Sequence, residues 1–240
     1  MRQGVLISTT EHILSALVGM GVDNAIIEIN SLELPILDGS GTPFVELIQQ
    51  AGLRRQRAAR TYLRMLRPLE VVDGGKRIAI YPDDRFRITT SIDFPHPLVG
   101  RQSLQIRLTP QAFAEEIAPA RTFGFLDQLS QMKDMGLIRG GSLANALVFT
   151  RDSVMNSGGL RFPDECCRHK VLDLIGDLAL IGHPLRAHVV AERAGHAMHT
   201  ALVLKLVRDR SLWELVMSEE SPAETPAPLP SLALGHAASD

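Results

Sequence analysis

The 240-residue chain has only two cysteines, and they are neighbours, Cys166 and Cys167. Adjacent cysteines are poor material for a structural disulfide, which excludes a disulfide-stapled scaffold and fits a reducing compartment. They could instead be metal ligands beside His169 or a partly buried pair at a helix start. No apolar run approaches the roughly 18 residues needed to span a bilayer. The amino end has Arg2 but only Val5-Leu6-Ile7 before polar residues, which is no secretory signal. These absences predict a cytoplasmic protein with no transmembrane segment. Charge is also nearly balanced: 25 Lys and Arg against 27 Asp and Glu leave a formal net charge of −2. That balance gives no general argument for a nucleic-acid partner. The H-E-x-x-H signature of zinc proteases does not occur.

What is present describes an ordinary globular chain, with 45% hydrophobic and 22% charged residues. Its length suits one large domain or two small ones. Val5 to Ile7 reads as a strand. Ser8-Thr9-Thr10-Glu11 has the form of a capping box that opens a helix through Val18. Ala25 to Ile29 reads as a strand, and Pro43 begins a second helix. The basic run from Arg54 to Arg60 reads as a solvated linker, because no aromatics interleave it. From Tyr62 the pattern turns to strands: 69–72, 77–81, 85–94 and 104–108. A helix is expected over 113–117, another over about 127–135, and a strand-like run over 145–150. A helix over 168–181, a strand at 187–191, a turn at 194–197, a helix over about 198–206 and a strand at 212–216 follow. Residues 218–240, rich in Pro, Ala, Ser and Glu, read as a disordered tail. Strand runs followed by helices predict an α+β fold rather than Rossmann-type alternation.

The chemistry centres on Arg168 to Asp177. Val171, Leu172, Leu174, Ile175 and Leu178 recur at helical spacing, so this is an amphipathic helix with one buried face. On it His169 and Asp173 lie one turn apart on one side, and Asp177 continues the row. An imidazole and a carboxylate so placed form either a two-ligand metal clamp or a helix-supporting ion pair. A catalytic zinc needs a third protein ligand, and His12 stands out because Glu11 precedes it. With zinc on His12, Glu11 could take a proton from metal-bound water. His196, held charged by Asp177, could donate a proton to a leaving group. The bland alternatives are that Glu11 caps its helix and that His12 and His196 are surface residues.

Several ordered segments resemble the zinc-dependent UDP-3-O-acyl-N-acetylglucosamine deacetylases of lipid A synthesis in Gram-negative bacteria. They are Ser8-Thr9-Thr10-Glu11-His12, Pro35-Ile36-Leu37-Asp38-Gly39-Ser40, Asp93-Phe94-Pro95-His96-Pro97, Ala120-Arg121-Thr122-Phe123-Gly124-Phe125, Gly140-Gly141-Ser142-Leu143, Arg168 to Leu178, and Gly195-His196-Ala197. The resemblance runs in order over residues 5 to about 217. It implies Zn2+ held by His12, His169 and Asp173, with Glu11 as general base and His196, supported by Asp177, as general acid. It implies Thr122 as donor to the tetrahedral oxyanion, which suits the charge that develops there. Lys170 would face the nucleotide phosphates, with Phe94, His96, Phe123 and Gly141 also binding substrate. An insert at about 123–149 would pass the 3-O-acyl chain, although the same apolar residues suit plain core packing.

The implied fold is a two-domain sandwich of similar β-α-α-β layers with the active site between them. Here a partial first domain, 1–57, would carry Glu11 and His12, and 61–217 would form the second. The strands that usually precede the Glu11-His12 helix are lacking, so an N-terminally shortened chain with an unpaired sheet edge is expected. Ala144 stands where the family usually has aspartate, and His199 where it usually has asparagine. The implied protein is a cytoplasmic monomer that meets a membrane surface at most transiently. Its rivals are a catalytically weak paralogue that binds an acylated sugar nucleotide or a partner protein, and a zinc hydrolase of another acylated amide.

Overall fold

A computed structural model describes residues 5–127 and 142–218. Helix α1 spans Glu11–Gly19 and α2 Thr42–Ala51. Then come β1 (Thr61–Met65), β2 (Leu69–Asp73), β3 (Lys76–Pro82), β4 (Phe86–Phe94) and β5 (Gly100–Arg107). A short α3, Pro110–Ala112, is capped by the Thr109 hydroxyl and runs into a wider turn over Phe113–Ile117. Strands β6 (Phe123–Phe125) and β7 (Leu147–Phe149) precede the long α4, Glu165–Leu178. Strand β8 (Leu185–Glu192), α5 (His196–Arg208) and β9 (Trp213–Met217) complete the described chain.

Seven strands form one mixed sheet. Strand β8 is its axis, antiparallel to β3 and parallel to both β4 and β1. The hairpin β2–β3 extends one side, β5 pairs with β4, and β9 pairs with β1. Along β8 buried and half-buried residues alternate, as a strand with one covered face requires. Its inward Leu185, Ala187, Val189 and Ala191 meet α4 and α5 in a core that also takes Ala16 of α1 and Phe44 and Val45 of α2. The two short strands β6 and β7 pair in parallel apart from the main sheet. Helices and strands thus segregate into layers, an α+β fold.

Four sequence expectations change here. The segments 5–7 and 25–29 do not form strands; Ile26 stands 93% exposed. Among the described residues no strand lies beside them to take their backbone groups, and only an isolated bridge joins Ser8 to Glu33. The capping box also fails, since Thr9 adopts φ 58° and its hydroxyl donates to Glu33. Helix α4 has no single buried face: sheet on one side and α1 on the other bury it almost all round. Finally, Gly195 caps a helix that starts at His196, so His196 sits on the first turn of α5. Strand β1 carries no distinctive pattern of its own and is seen only once β8 and β9 flank it. The expected helix over 127–135 and the expected tail over 218–240 lie almost wholly outside the described residues.

Candidate metal centre and active site

The site forms where α1 crosses α4. At the crossing stands Gly176, where a β-carbon would overlap the backbone carbonyl of Glu11. Without that side chain the first turn of α1 rests directly on α4, and His12 is brought against His169 and Asp173. All three are buried, at 2%, 1% and 3% exposure. The two imidazoles meet edge to face with ring centres 5.1 Å apart. His169 Nε2 lies 3.3 Å from Asp173 Oδ1, and His12 Nε2 lies 3.9 Å from the same oxygen.

His169 Nδ1 lies 3.1 Å from the Ala120 carbonyl, which can only accept, so Nδ1 carries a proton and Nε2 is the ring atom turned to Asp173. His12 is strongly disposed to stay neutral, because burial, and next the neighbouring His169, push its pKa down to about 4. Burial alone would raise the Asp173 carboxyl, but the charges of His169 and Lys170 outweigh it and hold the group well below the usual carboxylate range. Two buried imidazoles and an ionised carboxylate, their ligand atoms within 4.8 Å of one another, fit a divalent metal ion. The Ala120 contact is the usual outer anchor of a metal-binding histidine. His12 has no such anchor among the described residues, since its Nδ1 is buried without a partner there, and the packing of α1 on α4 orients it.

The Ala120 carbonyl is itself held in place. Glu165, fully buried, accepts from the Arg121 backbone, from Arg121 Nε at 2.8 Å and Nη2 at 3.2 Å, and from the Arg161 backbone. This ties the segment 120–122 to the start of α4. On its other side the Thr122 N–H donates to Gly39 O at 2.7 Å, and the Thr122 carbonyl accepts from Leu147 at 2.8 Å. Among the described residues no hydrogen bond is recorded for the Thr122 hydroxyl, which leaves it available to a ligand. Glu11, half-buried, directly precedes His12 in the first turn of α1.

One turn beyond Asp173, Asp177 accepts from two imidazoles. His196 Nδ1 and His199 Nδ1 both lie 2.7 Å from its Oδ2. That bond to Asp177 raises the His196 pKa against the opposing effect of burial. Burial would lift the Asp177 carboxyl, but the two imidazole bonds bring it below its ordinary value. His196 is thus disposed to carry a proton, with its Nε2 3.9 Å from Asp173. Sequence reading had marked His199 only as a departure from the family pattern; its buried ring in fact shares the carboxylate that serves His196.

A groove of about 350 Å³ opens beside the trio, lined by Phe94, Asp93, Lys170, Arg193, Lys76 and Gly75. Lys170 Nζ also bonds Asp173 Oδ2 at 2.8 Å, which links the groove to the metal trio. Arg193 and Lys76 were missed in the sequence, where neither belongs to a chemical motif; the β3–β8 pairing brings them together. Phe94 and Phe123 pack edge to face, and Phe123 reaches His169 and Lys170. His96 lies differently from a ligand-binding residue. Its Nε2 bonds Thr150 O at 2.7 Å, its Nδ1 accepts from Leu98 at 3.2 Å, and its ring packs on Phe125 and Phe149. It braces the aromatic wall. Gly141 lies outside the described residues. Both cysteine thiols are buried and pushed up to about 12 by that burial, so neither is a ready thiolate ligand.

His12 also sets a pH dependence for the metal-free protein. Above pH 6.5, the ordinary histidine value, it is neutral in both the folded and unfolded states. Below that the unfolded chain binds a proton that folded His12 refuses until about pH 4, so stability falls across this window. Urea midpoints of metal-free protein should drop between pH 7 and pH 5 (both inside or bordering that range), and His12→Gln should flatten the drop.

An α+β fold that buries two imidazoles beside a carboxylate, with a half-exposed histidine held on a second carboxylate one turn away, has the parts of a metal-dependent hydrolase. The particular family is shown by comparison: this chain belongs to the LpxC family, UDP-3-O-acyl N-acetylglycosamine deacetylase, whose sequence model matches residues 1–208. Among its relatives, the UDP-3-O-acyl-N-acetylglucosamine deacetylase of Solibacter usitatus is 60% identical over 92% of this chain and 74% of its own length. Proteins of the same name from Myxococcus xanthus and Syntrophotalea carbinolica are 47% and 46% identical, over 90% and 92% of this chain and 68% and 71% of their own lengths.

Proposed function

We propose that this protein hydrolyses the 2-N-acetyl amide of UDP-3-O-acyl-N-acetylglucosamine, releasing acetate and UDP-3-O-acyl-glucosamine, with Zn2+ held by His12, His169 and Asp173. The observation that carries the reading is the buried cluster of His12, His169 and Asp173, whose ligand atoms lie within 4.8 Å of one another. When bound there, zinc supplies a Lewis acid for the amide oxygen and an acidified water. Glu11 takes the proton from the attacking water. The Thr122 hydroxyl donates to the oxygen that gains charge as the amide becomes tetrahedral. His196, kept protonated by Asp177, gives its proton to the departing amine.

The groove supports the nucleotide end of the same substrate. Lys170, Arg193 and Lys76 offer cations to a diphosphate, and Phe94 offers a face to a ring. The cluster of Phe94, Phe123, Phe125 and Phe149 fits an acyl chain passing the site. In this reading residues 1–57 contribute Glu11 and His12, and 61–217 contribute the rest, so the site lies between two units. It includes a cytoplasmic monomer that meets the membrane surface only transiently. Among the described residues no helix is long and apolar enough to cross a membrane.

The test is acetate release from this substrate before chelation, after chelation, and after zinc is restored. Activity that vanishes and returns supports the proposal; activity indifferent to chelation sinks it. Tight ligand and zinc binding without any turnover would favour a binding paralogue. Arg193→Ala should raise KM about 10- to 100-fold with little change in kcat, since it removes a charged contact to a part of the substrate that does not react. Steady-state kinetics check that split.

A further inference from the structure

At the other end of α1 from Glu11, roughly 12 Å along the helix axis, lies a second cavity, of about 500 Å³. It is lined by Arg60, Arg85, Arg107, Arg186, Tyr62 and Asp84, with the carboxyl end of α1 forming one side. Four arginines thus share this lining with one acidic residue, Asp84, among the described residues. None of the groups assigned above to metal, amide or nucleotide lies here.

The sheet register shows that this charge is held at a cost. Arg64 of β1 stands directly opposite Arg186 of β8, and Arg87 of β4 directly opposite Arg107 of β5. Like charges in register across a sheet are destabilising. Arg64 is offset by Glu214 and Arg87 by Asp83. Arg107, Arg186 and Arg85 form no ion pair among the described residues. Arg60 is engaged, at 2.7 Å from Asp23.

The cavity is also partly organised in advance. The Tyr62 ring takes Arg186 at 4.6 Å and Arg60 at 5.4 Å from its centre, which restrains both guanidinium planes. The carboxyl end of α1 would oppose an anion through its free carbonyls. Those of Ala16, Leu17 and Val18, however, already accept from Met20, Val22 and Gly21.

We propose that this cavity binds a phosphorylated ligand of at least two negative charges. A guanidinium fork matches phosphate oxygens two at a time, and several arginines need a multivalent anion for compensation. A monocarboxylate would leave most of them uncompensated. The phosphate belongs either to a free soluble ligand or to a phospholipid headgroup.

Inorganic pyrophosphate titrated calorimetrically into the full chain is the probe. Because the groove at Lys170 and Arg193 is also cationic, the titration is repeated in an Arg193→Ala chain. Binding should survive Arg193→Ala and weaken about tenfold or more in Arg107→Ala/Arg186→Ala. Both replaced side chains reach solvent and each faces a like charge, whose relief offsets the lost Arg186–Tyr62 contact, so the double variant should keep its melting temperature without ligand. Co-sedimentation with phosphatidylcholine vesicles containing phosphatidic acid, whose phosphomonoester can carry two charges, separates the two sources. Capture that pyrophosphate reverses and the double variant lacks assigns the site to a headgroup. Pyrophosphate binding with no capture assigns it to a soluble ligand. The proposal is overturned if pyrophosphate does not bind, or binds the well-folded double variant as tightly as the parent chain.

Discussion

Replacing Glu11 with glutamine is expected to cut acetate release by about 100- to 10,000-fold, the usual worth of a positioned general base, while the protein retains its zinc. The retained metal is what makes the result informative. Glu11 neighbours His12 on α1 but is not one of the three donors gathered in the buried trio. Glutamine keeps nearly the same size and can still hydrogen-bond a water molecule, but it cannot accept that water's proton near neutral pH. The loss should therefore fall on kcat, with KM little changed. Metal analysis beside steady-state kinetics checks both halves. If zinc leaves together with activity, Glu11 is a structural support and the assignment fails.

An alanine at Gly176 should be nearly as damaging, although that position touches neither substrate nor metal. Its new β-carbon would occupy the space of the Glu11 backbone carbonyl, and backbone cannot swing aside as a side chain can. Helix α1 must move off α4, carrying Glu11 and His12 away from His169 and Asp173. Overpacking of this kind costs about 1–3 kcal/mol of stability. A misplacement of roughly 1 Å can cost about 100-fold in rate. Zinc affinity should fall as well, because His12 has no hydrogen bond of its own to restore its aim. Serine at 176 should behave like alanine. A Gly176→Ala protein with parental activity and zinc affinity would show that the crossing does not set the site.

The difference between those two residues shows how far the sequence could be read. His169 and Asp173 sit one turn apart, so their pairing is legible in a single helix, and the Glu11-His12 pair is legible as adjacent residues. That His12 would land on His169 is a tertiary fact, which the sequence hinted at only through the Glu11 before His12 and through the ordered resemblance to a family. Gly176 reads as an unremarkable helical glycine until α1 is laid across it. The wall-bracing role of His96 was hidden for a similar reason: its partners Thr150, Phe125 and Phe149 come from distant segments. Most strands and helices were visible in their periodicity. The failures at 5–7 and 25–29 arose because a short apolar, β-branched run specifies a strand only where another strand is present to pair with it. His199 illustrates the reverse case, a residue noticed as unusual whose use became clear only beside Asp177.

The division of the candidate metal trio between two layers also has a mechanical consequence. The proposed ligand His12 rides on α1, the proposed ligands His169 and Asp173 on α4, and the first layer continues into the sheet through the run 52–60. An ion gripped by all three side chains works as a latch across that seam. Its binding free energy is added to the packing of α1 on α4 and vanishes whenever the seam opens. Amide hydrogen exchange along α1 should therefore be slower in the loaded protein than in the metal-free one and should quicken there first on chelation, while the central strand β8 keeps its protection. The same atoms that prepare a water molecule for attack would then decide how long the two layers stay closed.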